Sequence, residues 1–195
     1  MSKRVDIHKL ARDGLVEELE KNLNVGDISQ SATLVNVIDN HKRTPLHLAA
    51  FFGRLEAVGK LLEFKANIHA GAVDGFTALH FAAQNGHLEV CKVLVAAKAN
   101  IDRATDRGVR TPLHLAAFKN QFDVMEYLIR RKANTSRKNS EGKTPLDLVT
   151  DKDARDRLMA LINDIEERKS EKRKQPSANT EEGEIESKLP KLADS

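Results

Sequence analysis

Apolar residues recur along this chain in two alternating kinds of block. One is compact: Leu46, Leu48, Ala49 and Ala50 return as Leu79, Phe81, Ala82 and Ala83, then as Leu113, Leu115, Ala116 and Ala117. The other is spaced i, i+3, i+6, i+7, reading Leu55, Val58, Leu61, Leu62, then Leu88, Cys91, Leu94, Val95, then Phe122, Met125, Leu128, Ile129. Both patterns have helical period and predict pairs of short helices with one buried stripe each. The compact block sits in a longer repeat, Thr44–Ala50, Thr77–Ala83 and Thr111–Ala117, with a weaker copy at Thr144–Val149. Successive copies stand 33, 34 and 33 residues apart. A period of that size means stacked helix-turn-helix units joined by loops.

The recurring letters have physical roles. Thr before Pro suits a helix N-cap, where the hydroxyl satisfies an orphan amide and Pro occupies the first helical position. The Ala pair lets neighbouring helices approach closely. Gly53 and Gly86 close that helix in the left-handed conformation, with Asn120 in their place in the third copy. Lys-Ala-Asn follows each second helix at 65–67, 98–100 and 132–134, and a polar run with Gly75, Gly108 or Gly142 leads into the next Thr. Those runs predict hairpin-like loops projecting from the stack.

With these motifs in place, the chain resembles the ankyrin-repeat family over about residues 4–165. The resemblance implies an all-α solenoid of about five helix-turn-helix units with hairpin-like loops. Ile7–Ala11 with Gly14 aligns to Leu46–Ala50 with Gly53 and reads as an N-terminal cap, about 4–35. Its offset of 39 leaves six extra residues within 24–34 as an insertion. Full repeats fall at about 40–72, 73–106 and 107–139, and Leu158, Leu161 and Ile162 continue the stripe into a C-terminal cap at about 140–165.

Composition narrows the classes. A formal net charge of +3 is too small to imply nucleic acid by itself, and no apolar run approaches a membrane span. A single cysteine, Cys91, lies on the buried stripe, so no intramolecular disulfide can form and a reducing, intracellular setting (cytoplasm or nucleus) is expected. From Glu166 the chain is dense in both charges and poor in apolar residues, the composition of a disordered tail, 166–195. Within it, Arg168, Lys169, Lys172, Arg173 and Lys174 form a basic cluster that is a candidate import signal, followed by an acidic run at Glu181–Glu186.

No catalytic chemistry is legible: there is no phosphate-binding glycine loop, no nucleophile with a base and no paired carboxylates, so the chain is not expected to be an enzyme. Seven histidines invite a metal, but His47, His80 and His114 repeat at one position. Packed helices stand about 8–10 Å apart, too far for a shared ion with ligands at about 2 Å. Each ring is expected instead to bond its capping Thr and nearby loop backbone. Neither cofactor nor metal is expected.

The resemblance places partner contacts on loop tips and on the exposed face of the first helices. Carried over position by position, the set is Ile38, Asn40, His41 and Arg43; Val73, Asp74 and Phe76; Asp106, Arg107, Val109 and Arg110; and, on the helices, Phe51, Phe52, Gln84, Asn85, Phe118 and Lys119. Gly71, Ala104, Lys138, Ser140, Glu141 and Lys143 complete the loops. Four of the chain's seven Phe fall in this set. Exposed aromatic residues gathered on one face mark an interface. The expected surface is apolar, rimmed by Arg43, Arg107 and Arg110, and binds a protein segment. Two departures from the family pattern stand out: Lys65, Lys98 and Lys132 replace the usual Gly, and Lys42 replaces the loop Gly. The three lysines are expected to form a positive column along one edge.

Overall fold

Thr begins the first helix of each repeat, and in the computed structural model, which describes residues 5–24 and 28–174, it does so through one recurring device. Helices α4 (Pro45–Phe51), α6 (Ala78–Gln84) and α8 (Pro112–Phe118) follow Thr44, Thr77 and Thr111 in extended conformation. Each Thr amide donates to Nδ1 of the His three residues on, at 3.0 Å for His47, 3.1 Å for His80 and 3.2 Å for His114. The arrangement is a capping box with His in the place usually taken by Glu or Gln. Because Nδ1 accepts, the neutral ring carries its proton on Nε2.

That second nitrogen reaches the following unit. His47 Nε2 lies 3.0 Å from the Ala70 carbonyl and 3.1 Å from that of Phe76. His80 reaches the Arg110 carbonyl at 3.1 Å and His114 that of Lys143 at 3.3 Å. In the first unit His8, on α1 (Ile7–Asp13), reaches the Arg43 carbonyl at 2.9 Å. Arg43, Phe76, Arg110 and Lys143 each directly precede the next capping Thr. One ring therefore fixes both its own helix start and the entry to the next.

The first helices α1, α4, α6 and α8 stack in sequence as one layer. The second helices, α2 (Val16–Leu23), α5 (Leu55–Glu63), α7 (Leu88–Ala96) and α9 (Phe122–Arg130), stack as the other. Between the layers lie Leu46, Leu79 and Leu113 with their Ala pairs, facing Val58, Leu61, Cys91, Leu94, Met125 and Leu128. The buried stripe also takes in Ala57, Val90 and Val124, while Leu55, expected within it, is exposed. Leu55 is the first residue of α5; Leu88 and Phe122, first in the later second helices, are half-buried.

Gly53 and Gly86 turn the first helix into the second with φ of 68° and 76°. Their lack of a side chain matters twice over. A β-carbon on Gly53 would sit 2.6 Å from the His87 ring, and one on Gly86 2.2 Å from Gln121. His87 uses this room to reach back and bond the Phe51 carbonyl at 3.0 Å.

Both ends depart from the inner pattern. The insertion within 24–34 contains α3 (Ile28–Val35), which packs beside α2 with Val35 buried. In the last unit the first helix shrinks to a 3₁₀ turn, Leu146–Leu148, beside α8. Val149 and Thr150 stand there instead of an Ala pair, and Arg155 Nη2 donates to the Val149 carbonyl, closing the turn early. Asp147 performs the local half of the histidine's task, accepting from the Thr144 amide and hydroxyl at 2.8 and 2.7 Å. Helix α10 (Lys152–Lys174) then packs on α9. Residues 166–174, assigned from composition to the charged tail, continue this helix. Their Glu, Lys and Arg are good helix formers, and pairs such as Asp164–Arg168 at 2.9 Å support it. The rest of that tail, 175–195, lies outside the described residues.

Burial pushes His47 and His80 down to about 4 and lowers His114 as well. The folded chain keeps these rings neutral where the unfolded chain, with values near 6.5, protonates them. Stability is thus complete above pH 6.5 and is lost as pH falls towards about 4, at up to ~3 kcal/mol per fully buried ring. Melting followed by circular dichroism should drop by roughly 10 °C or more across that window; a flat profile between pH 6.5 and 4.5 contradicts the bridging role.

Candidate protein-binding face

The loops between repeats close on themselves in the same way each time. The amides of Asp39, Ala72, Thr105 and Asn139 donate to the carbonyls of Arg43, Phe76, Arg110 and Lys143 at 2.8–3.0 Å. Asp39 Oδ1 also accepts from the His41 and Arg43 amides at 2.8 Å, and Asn139 Oδ1 from those of Glu141 and Lys143 at 2.9 and 3.0 Å. Thr105 Oγ1 accepts from the Arg110 amide at 3.0 Å. Ala72 offers no such side chain. Its loop turns through consecutive left-handed residues, Asp74 and Gly75, at φ 60° and 75°, as the Thr105 loop does through Gly108 and Val109.

Successive loops are bonded to one another. Val73 donates to the His41 carbonyl at 3.1 Å, Asp106 to that of Asp74 at 2.8 Å and Ser140 to that of Gly108 at 3.0 Å. The tips therefore form one backbone ladder, a feature that no side-chain pattern announces. Along it Ile38, Asn40, His41, Val73, Asp106, Arg107 and Val109 are exposed, as are Lys138, Ser140 and Glu141. Val109 is the residue that makes one spacing 34, and it sits at φ 50°. A β-branched residue there costs roughly 1–2 kcal/mol.

The aromatic residues divide into two groups. Phe51 and Phe52, at the end of α4, are 38% and 42% exposed, and their rings meet edge-on at 4.9 Å. Phe51 also meets Phe81 of the next repeat at 5.8 Å. Phe76, expected to be exposed, is half-buried: it stacks on Phe81 at 5.5 Å and leans on His80 at 5.7 Å. Its neighbour is the reason. Phe81 stands where Leu48 and Leu115 are buried, and the larger ring emerges half-buried between Phe51 and Phe76. The substitution of Phe for Leu in one copy was the available signal that Phe81 belongs to the face. The result is an aromatic shelf across two repeats, fixed by ring contacts that favour edge-on and offset geometries.

Phe118 stands apart at 57% exposure, with the Arg110 guanidinium 6.0 Å and Lys119 Nζ 5.6 Å from its ring centre. Gln84 and Asn85 are half-buried, and Asn85 Nδ2 donates to the Phe81 carbonyl at 2.9 Å. The expected basic rim is instead a set of ion pairs. Arg43 is held by Asp39 at 2.8 Å, Arg107 lies 3.3 Å from Asp74, and Arg110 lies 3.5 Å from Glu141. Asp106 in turn lies 3.6 Å from Arg103. The first, third and fourth loops carry both signs and the second only Asp74, which Arg107 of the third loop meets, so the rim is of mixed sign. Such exposed pairs contribute little and can exchange partners on contact.

Chemistry elsewhere is muted. Cys91 is buried, and burial pushes its thiol up to about 12, so it holds no reactive thiolate at neutral pH. Among the described residues no group of three or more His, Cys, Asp or Glu could hold a metal, and no helix is long and apolar enough to cross a membrane. The basic cluster lies at the end of α10, where Arg168 is exposed.

Family models described as ankyrin repeats match this chain, one of three copies over residues 7–105 and one of many copies over residues 94–149. No curated protein matches it.

Truncation separates the two aromatic groups. Phe52→Ala and Phe118→Ala should each change stability by no more than about 0.5 kcal/mol, as at other exposed sites. Phe81→Ala, which removes the ring that links Phe51 and Phe76, should cost ~1–3 kcal/mol. Urea midpoints measured side by side decide this; equal losses at Phe52 and Phe81 would make the shelf a part of the core.

Proposed function

We propose that this chain, which belongs to the ankyrin-repeat family, is a stoichiometric adaptor or scaffold that captures a partner protein on its aromatic shelf and loop ladder. Ankyrin repeats are generally protein–protein interaction modules and are typically non-enzymatic. The observation that carries the finer reading is the shelf itself: Phe51 and Phe52 are exposed, yet Phe51 is held by a ring contact to Phe81 of the next repeat and Phe52 by one to Phe51. Aromatic side chains fixed before binding present a large apolar area at small ordering cost. The rim of mixed sign suits a partner segment that carries both charges, since a uniformly charged one meets like charge at several of the loops. A partner helix or extended segment with apolar anchors fits this surface.

The fold hosts many unrelated partners, so partner identity rests on the site rather than the family. The same surface would serve a nuclear co-regulator or an inhibitor that occludes a partner enzyme. One feature favours the first of these: α10 carries the basic cluster past Ile165, the last of its residues packed on the core. Deleting 168–174 should shift a nuclear-localised chain to the cytoplasm; unchanged distribution removes that variant of the reading.

Affinity capture from lysate with the wild-type chain beside a Phe51→Ala/Phe52→Ala/Phe118→Ala variant tests the main proposal. A partner retained by the wild type should be lost from the folded triple variant, by ~10-fold or more in affinity, because aromatic anchors commonly contribute above 1 kcal/mol each. If every captured protein survives the triple change, the shelf is not the binding face.

A further inference from the structure

Ser140 stands at the tip of the last loop, with Arg137 three residues before it and Lys138 two. All three are exposed, and 137–139 lead without regular structure into the turn that the Gly142 amide closes on the Asn139 carbonyl at 3.0 Å. Among the described residues the Ser140 hydroxyl makes no hydrogen bond. The other exposed hydroxyls among them stand in different settings. At the same two offsets Thr33 has Gln30 and Ser31, Ser136 has Ala133 and Asn134, Thr150 has Asp147 and Leu148, and Ser170 has Glu167 and Arg168. The last loop is also easier to lift than the inner ones. The second and third loops are bonded to a tip on either side, whereas this one is tied by backbone to one neighbour, through the Ser140 amide and the Gly108 carbonyl at 3.0 Å.

The preceding loop shows how a negative charge is received at this position. The ladder bonds set Asp106 level with Ser140, and Arg103 stands three residues before Asp106 as Arg137 does before Ser140. Arg103 Nη2 lies 3.6 Å from Asp106 Oδ1. In the last loop Arg137 Nη1 donates instead to the Asp102 carbonyl at 3.2 Å. Acids do face this region. Glu141 is shared by Arg110 and Lys143 at 3.5 and 3.3 Å, and the Asp102 carboxylate accepts the Asn134 amide at 2.8 Å. The Asp147 carboxyl is lowered by its bonds to Thr144 and, more weakly, by Arg155 and Lys138. None of the three takes the place by Arg137 that Asp106 takes by Arg103.

We propose that Ser140 is a phosphorylation site, the acceptor for an ATP-dependent protein kinase that carries acidic groups for Arg137 and Lys138. In the transfer Ser140 Oγ bonds to the γ-phosphorus of ATP while the bond to the β–γ bridging oxygen breaks. ADP leaves, and the hydroxyl proton passes to a carboxylate of the kinase. The product carries nearly two negative charges where Asp106 carries one, and Arg137 pairs with it as Arg103 pairs with Asp106. The site is independent of what the loops bind. On the reading of the loop ladder as a binding face, the stretch from Arg137 to Lys143, three bases against Glu141, gives up its positive excess and its hold on an acidic partner segment.

Incubating the full, folded chain with MgATP and the catalytic subunit of cAMP-dependent protein kinase, which selects basic residues at those two offsets, tests this by mass-spectrometric site mapping. Phosphate is expected on Ser140. It should be absent from that position in Ser140→Ala and added roughly tenfold more slowly to Arg137→Gln, the loss typical of one charged contact. Phosphoserine titrates at about pH 6. A paired arginine favours the dianion, so the phosphorus-31 midpoint should lie below that value in the wild type and rise in fully phosphorylated Arg137→Gln. Labelling confined to other hydroxyls overturns the proposal, as does labelling of Ser140 no faster than of Ser170. Equal midpoints in the two chains overturn the pairing with Arg137. These readouts involve no captured partner, so failure of the shelf as a binding face leaves them unchanged.

Discussion

The structure depends on one imidazole that satisfies two demands at once. His47, His80 and His114 each accept at Nδ1 from the Thr that starts their own helix and donate from Nε2 to the carbonyl before the next Thr. A carboxylate could do the first, and Asp147 does. No carboxylate could do the second, since it has no proton to offer a carbonyl. The repeat therefore needs a neutral ring with opposed nitrogens wherever another first helix follows. Burial, which keeps the ring neutral, and stacking, which buries it, support each other.

Much of this was legible in the letters. The Thr-to-His spacing, the Ala pair and the turn glycine each name a local conformation, and their period gives the stack. What was not legible follows from the same physics. The backbone ladder between loops uses amides and carbonyls that every residue has, so side-chain patterns are silent about it. The helix at Ile28–Val35 hid in an insertion with no counterpart in the other copies. The charged residues 166–174 read as tail because charge opposes burial, yet a helix already anchored by Leu158 and Ile162 needs only good helix formers to continue.

The candidate face was legible in part for a similar reason. Position against position, Phe51, Phe52 and Phe118 stood out, and they are exposed. The partial burial of Phe76 is not legible position by position because it depends on Phe81, a neighbour five residues on at a scaffold position. The arginines read as a basic rim because their partners are set by the stacking: Arg43 pairs within its loop with Asp39, but Arg107 and Arg110 pair with Asp74 and Glu141 of the neighbouring loops. A shelf fixed by its own contacts and a rim free to exchange partners divide the labour of recognition between shape and charge.

The clearance over the turn glycines gives the array a grain. His87 lies over Gly53, and Gln121 over Gly86, so each unit leans on the one before it and leaves room for the one after. Grafting a unit from elsewhere into this stack requires matching two seams that are not alike: a vacant turn on one side and a reaching side chain on the other. Units can be exchanged as whole modules in order, but not reversed, and a module that brings a β-carbon to the turn must also bring a shorter follower.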